Sequence, residues 1–196
     1  MSEQRRSLIL ASTSPRRREL LREAGFDFVV VAPDIDESPR PQETPFELTE
    51  RLALEKASAG ARGRSGAACV LAADTTVVVE DSLLGKPRDE ADAARMLLSL
   101  SGRTHRVITG VAVQALDDRR TASLLATSLV RMHPISEADA YEYAHSGEPL
   151  DKAGGYALQG NGVRFVEEVV GSRSNVIGLP LEAVTPLLAS FGVTAR

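Results

Sequence analysis

Cysteine is almost missing from this 196-residue chain. Cys69 is the only one, which excludes a disulfide framework and a thiolate metal site. Histidine is nearly as scarce: His105, His133 and His145 are scattered, and no spacing among them matches a zinc site. No apolar run reaches membrane-spanning length, and Arg5 and Arg6 precede a stretch too short for a secretory leader. A G-x-S-x-G elbow and a Walker-type loop are both absent, so serine hydrolase and P-loop NTPase readings fail. Basic charge is not in excess either. The formal net charge of -4 argues against a general nucleic-acid or membrane-surface binder. The remaining expectation is a soluble cytoplasmic protein without repeats, organised as one domain over residues 1–196. Its 43% hydrophobic and 26% charged residues are ordinary for a globular chain and argue against disorder.

The periodicities present predict alternating strands and helices. Leu8 to Leu10 reads as a strand, and Ser14 caps a helix that Pro15 opens. "FDFVVVA" reads as a second strand, followed by the acidic, Pro-rich loop "PDIDESPRPQETP", whose length suggests a functional loop. Thr44-Pro45 opens a helix running to Gly60. "AACVLAA" reads as a strand buried on both faces, leading into a hairpin that turns near Asp81-Ser82. Asp89 and Ser136 cap two further helices, and a long antiparallel strand pair joins at "DDRR". Short strands are expected around "VRFVEEVV" and "NVIGL", then a last helix from Pro180 to about Ser190. This interleaving without a strict βαβ rhythm predicts an α/β fold with a mixed, twisted sheet covered on both faces.

Several residues break local rules. The first helix starts with Arg16, Arg17 and Arg18, where the macrodipole disfavours cations. With Ser12, Ser14 and free backbone N–H groups, they describe an anion site at a helix start, against the alternative of a solvated basic face. Arg16 and Arg17 lie one turn from the apolar Leu20 and Leu21, whereas Arg18 faces water with Arg22. Asp74 follows an apolar strand, so it sits at a strand end that is costly for an unpaired carboxylate, or it simply starts a turn. Glu37 ends "DIDE" and is another available carboxylate, although acidic loops commonly serve solubility. Lys56 falls on its helix's apolar stripe, as a site residue or as a snorkelling lysine. Lys86 is held in "LGKP", aimed or merely exposed. In "LDKAGGYALQG", Gly154 and Gly155 permit close backbone approach and Lys152 adds a charge. Gln159 offers a donor beside an acceptor. That segment also reads as a flexible surface loop, though Tyr156, Ala157 and Leu158 make it unusually apolar. Cys69 reads as a small core hydrophobe.

Six stretches in order, "STSPRRRELL", "ERLALEKA", "AADTTVVVEDSLLGKPRD", "LSGRTHRVITGV", "DKAGGYALQG" and "SNVIGLPL", resemble the motifs of the Maf, or septum-formation-inhibitor-like, nucleotide pyrophosphatases. The resemblance runs from about Leu8 to Leu188. It implies an elongated curved mixed sheet covered by helices on both faces, related to inosine triphosphate pyrophosphatases, with a cleft for a nucleoside triphosphate. It further implies hydrolysis between the α- and β-phosphates with a divalent cation, Mg²⁺ or Mn²⁺. Asp74 matches the family's catalytic carboxylate, described as the proton acceptor. Arg16, Thr75 and Gln159 match positions associated with substrate choice, and Ser14, Glu37, Lys56 and Lys86 match other polar positions of the cleft.

The aromatic-and-Gln-Gly form of the "DKAGGYALQG" loop is similar to the dTTP/UTP branch, with Ala157 where that pattern often has glycine. A triphosphate with its metal needs cations, available from Arg16, Lys56 and Lys86, with Ser12, Arg17 and Lys152 as further binding groups. Hard oxygen ligands are available from Glu37 and Asp74. The expected partner is a nucleoside triphosphate, with no stable nucleic-acid or membrane binding and room for a homodimer. Other readings stand beside this one: the same enzyme acting on modified pyrimidine nucleotides, a 7-methyl-GTP pyrophosphatase, and a non-catalytic nucleotide-binding regulator of cell division.

Overall fold

A computed structural model describes residues 6–196; Arg5, weighed above as part of a basic leader, lies outside them. The chain forms a seven-stranded mixed sheet with α-helices, as the interleaved pattern predicts. The strands are β1 (Ser7–Ala11), β2 (Phe28–Val31), β3 (Ala68–Val79), β4 (Ser82–Leu84), β5 (Thr104–Ala115), β6 (Thr121–Met132) and β7 (Val166–Val170). Their order is β2-β1-β3-β5-β6-β7, with β4 beside β3. The helices are α1 (Pro15–Glu23), α2 (Pro45–Ala61), α3 (Glu90–Leu100), α4 (Glu137–His145), α5 (Arg173–Ile177) and α6 (Leu181–Ser190). Among the described residues, no helix is long and apolar enough to cross a membrane. The chain divides into two compact units.

One unit holds the residues up to Asp74 together with Thr109–Ala126 and Gly178–Arg196. Here β1 pairs in parallel with both β2 and β3, Leu8 standing opposite Phe28 on one side and Cys69 on the other. Cys69 is buried, as expected of a small core hydrophobe, and burial pushes its thiol up to about 11. Helix α2 begins where the sequence predicts. The Thr44 side chain accepts from the Glu47 backbone while the Glu47 carboxylate accepts from Thr44 N, a reciprocal capping box. Its small residues Ala53 and Ala57 pack with Ile9, Ala11, Val70, Ala72 and Ala112 of the strands, which brings helix and sheet close together. Gly110 of β5 marks one close approach. A Cβ at that position would stand 2.5 Å from the Thr49 carbonyl oxygen of α2.

The other unit holds Thr75–Ile108 and Thr127–Ile177. Its core gathers Val77, Val79, Leu97, Leu100, Val130 and Met132 with Tyr143 and Phe165. The Asp89 side chain caps α3 by accepting from Asp92 N, and Ser136 caps α4 by accepting from Asp139 N, both as predicted. The buried His105 (2% exposed) meets the Tyr156 hydroxyl at 2.6 Å through Nε2, the two rings set edge-on. Burial pushes the His105 imidazole down to about 4 and the Tyr156 phenol up.

Four expectations are corrected. β3 does not stop before Asp74 but runs on to Val79, because the β-branched "TTVVV" continues the strand. Its hairpin with β4 pairs Val79 with Ser82, so the turn falls at Glu80-Asp81. "NVIGL" is not a strand: Ser172 Oγ accepts from Asn175 N at 3.0 Å and starts α5, overriding the β preference of Val176 and Ile177. "VRF" belongs to a 3-10 segment over Gly160–Phe165, and only the following residues form β7.

Two measurements check this packing. Gly110→Ala should cost about 1–3 kcal/mol by urea unfolding, since a backbone carbonyl has no rotamer with which to yield. His105 makes folding pH-dependent with a defined sign. The unfolded imidazole protonates in the usual histidine range and the folded one only near 4. The stability it contributes should therefore be complete above that range and be lost as pH falls towards about 4. Urea midpoints of His105→Gln should lack that component of the slope between these limits.

Candidate active site

Two of the rule-breaking residues of the first unit, Asp74 and Glu37, meet at the ammonium group of a third, Lys56. Lys56 Nζ donates to Asp74 Oδ1 at 2.7 Å and lies 3.0 Å from Glu37 Oε1. Lys56 and Asp74 are only 6% and 7% exposed, whereas the Glu37 side chain is more than half exposed. Asp74 thus sits mid-strand on β3, and the cost of burying it is met by a cation from α2 rather than by solvent at a strand end. Lys56 is no snorkelling lysine, because its head group is inside with its stem.

The start of α1 adds positive charge to this unit. Ser12 is buried and its Oγ accepts from Ser14 N at 3.1 Å, while the Ser14 side chain accepts from Arg17 N at 3.5 Å. These two hydroxyls shape the turn between β1 and α1. Arg17 is half-buried and donates through Nε to the Gly178 carbonyl at 2.8 Å. Burial lowers its affinity for its proton, and so does the neighbouring Arg16 charge, while Asp74 and Glu37 act in the opposite sense. Arg17 therefore lies within electrostatic reach of both carboxylates. Arg16 and Arg18 are half-buried as well, so Arg18 is less solvated than its spacing suggests.

The second unit builds the glycine-rich segment on charged and backbone contacts. Gly154 takes a left-handed φ of 73° and donates to the Gly85 carbonyl at 3.0 Å, tying the "LGKP" turn to "KAGG". A Cβ at Gly154 would lie 3.0 Å from Val77 Cγ1, which explains the need for glycine there. Tyr156, Ala157 and Leu158 are buried, so this is not a flexible surface loop. Gln159 follows them, half-buried, and Thr75 is half-buried on β3. Beyond Gln159, Glu148 accepts from Asn161 N at 3.1 Å, Gly162 N at 3.2 Å and the Tyr143 hydroxyl at 2.9 Å. Lys86 is exposed. The Lys152 ammonium instead turns back onto the Glu148 carbonyl and onto Asp151 Oδ1 at 2.6 Å. Sequence reasoning missed Glu148, which holds backbone N–H groups after Gln159, and the Gly178 carbonyl, which holds the Arg17 guanidinium.

Asp74 and Glu37 both reach the Lys56 ammonium, and their carboxylates are hard oxygen donors of the kind that suits a divalent cation. Among the described residues there is no cluster of three or more His, Cys, Asp or Glu side chains to hold an ion by protein alone. The buried ion pair can itself be tested. Lys56→Met should cost about 3 kcal/mol of stability by leaving Asp74 uncompensated. Adding Asp74→Asn in the same chain should restore part of the loss in urea unfolding.

The chain is similar to known proteins over nearly its whole length. It is 50% identical over 194 residues to the dTTP/UTP pyrophosphatase of Shewanella sp. (strain MR-7), covering 95% of this chain and 99% of that one. The dTTP/UTP pyrophosphatase of Symbiobacterium thermophilum is 47% identical over 185 residues, 94% of either chain. Among solved structures, a HAM1 protein from Coxiella burnetii matches with a TM-score of 0.51 and 18% identity, over 94% of this chain and 99% of that one. That likeness is one of fold alone. The family model described as Maf-like protein matches residues 7–191, and the chain belongs to that family.

Proposed function

We propose that this chain is a nucleoside triphosphate pyrophosphatase that hydrolyses dTTP and UTP to the monophosphate and pyrophosphate. The observation that carries the chemistry is the buried Lys56–Asp74 ion pair with the exposed Glu37 carboxylate beside it, in the unit that also holds the arginine-rich start of α1. Near 50% identity to relatives named dTTP/UTP pyrophosphatase supports the substrate class.

A divalent cation held by Asp74 and Glu37 would supply charge neutralisation to the phosphate oxygens. The chain's own residues do the rest. Asp74 orients a water and receives its proton as the water oxygen bonds the α-phosphorus and the bond from that phosphorus to the bridging oxygen breaks. Pyrophosphate leaves with the bridging oxygen, and the charge it accumulates is met by Arg16, Arg17 and Lys56. Ser12 and Ser14 fix the turn into α1 and so hold Arg16 and Arg17 in place for phosphate. Gln159, with Thr75, reads the base: its amide pairs with N3–H and a neighbouring carbonyl of uracil or thymine. In this reading the substrate is a free nucleotide of the cytoplasm, and Mg²⁺ or Mn²⁺ is the cofactor.

Asp74→Asn tests the assignment, since it keeps an acceptor for Lys56 while removing the proton acceptor. Pyrophosphate release should fall at least about 100-fold in a protein that circular dichroism still shows folded. Turnover close to that of the parent would refute the role of Asp74. A panel of single nucleotides in the same assay should give dTTP and UTP the highest kcat/KM, and preference for 7-methyl-GTP would refute the substrate class.

A further inference from the structure

The loop that carries Glu37 has no reason of its own to be ordered. From Asp34 to Gln42 no side chain is buried, and the backbone lies outside every helix and strand. Yet Glu37 reaches Lys56 at 3.0 Å. The fork of Arg51, five positions before Lys56 on α2, accounts for this.

Arg51 Nε and Nη2 donate to the two carboxylate oxygens of Glu43 at 2.5 and 2.8 Å, a bidentate pair at the loop's far end. Nη2 also donates to the Ser38 carbonyl at 3.1 Å, on the residue directly after Glu37. Ser38 N in turn donates to Asp36 Oδ1 at 2.9 Å, so the backbone is pinned immediately around Glu37. Glu55 accepts from Arg51 Nη1 at 3.2 Å and from Arg40 Nη2 at 2.8 Å, and Arg40 N donates to Glu43 at 2.9 Å. The hydrogen bonds from Arg51 hold the Glu43 carboxyl down to about 2, and Arg51 and Glu43 are both largely shielded from water.

We infer that Arg51 is a positioning residue: its guanidinium straps the 34–43 loop to α2 and so keeps the Glu37 carboxylate beside Lys56 and Asp74. The inference rests on the proposed function only for its effect on catalysis. A lysine cannot replace the fork, because one ammonium cannot span Glu43, Glu55 and the Ser38 carbonyl in a plane.

Arg51→Met and the milder Glu43→Gln, which keeps the arginine, are compared with the parent by amide hydrogen exchange without nucleotide. Peptides over residues 34–43 should exchange about tenfold faster in both, with peptides of β3 unchanged. In hydrolysis of dTTP, the Mg²⁺ concentration giving half-maximal rate should rise about tenfold in Arg51→Met. In a Glu37→Gln background the same substitution should add nothing. Unchanged exchange over 34–43 in a folded Glu43→Gln protein would overturn the strap. A full Arg51→Met penalty persisting without Glu37 would overturn its action through that carboxylate. If exchange rises while Glu37→Gln leaves hydrolysis untouched, the strap stands and the proposed role of Glu37 falls.

Discussion

A single ammonium inside the protein sets the conditions for the first unit. Asp74 is placed mid-strand among apolar neighbours, where an unpartnered carboxylate would be costly, and Lys56 is the group that meets it. That requirement fixes the rotation of α2, since Lys56 must face β3 along with Ala53 and Ala57. Those small residues let the helix approach closely enough for the ammonium to reach its partners. Replacing the pair by apolar residues would be tolerable for folding alone. Its presence, with a second carboxylate drawn from a loop, fits a site that must meet charge brought by a ligand.

The two segments that carry proposed ligand contacts are shaped by the same kind of force. Neither is a regular helix or strand at the critical residue. The Glu37 loop takes its form from the Arg51 fork, and the end of the Gln159 segment takes its form from the Glu148 carboxylate. In each case a charged side chain from a helix or helical turn holds backbone groups of a loop. Such bonds are directional, so they fix orientation as well as proximity. This is how a residue on a loop can hold the tolerance that positioning for chemistry requires.

Much of this was legible in the residues. Helix starts at Ser14, Thr44, Asp89 and Ser136 were readable because capping is local and has few chemical solutions. The rule-breaking arginines led to the proposed anion site, because like charge at a helix start is costly unless something compensates it. Strand ends were less legible. The length of β3 depended on whether Asp74 found a partner, and that partner is distant in sequence. The start of α5 turned on one serine hydroxyl outweighing two β-branched residues. Arg51 was invisible as a site residue, since "ERLALEK" looks like an ordinary helical charge pattern until the loop it holds is seen in space.

The reversed charge at the start of α1 has a consequence for ionic strength. Three guanidinium groups crowd a dipole end of their own sign, so without a ligand the helix start carries repulsion that dissolved ions relieve. The same ions shield the attraction that draws a polyanion inward. Rising salt therefore pushes in two directions at once, easing the empty protein while weakening capture. A helix start built this way carries tension that, in the proposed function, a bound phosphate would discharge.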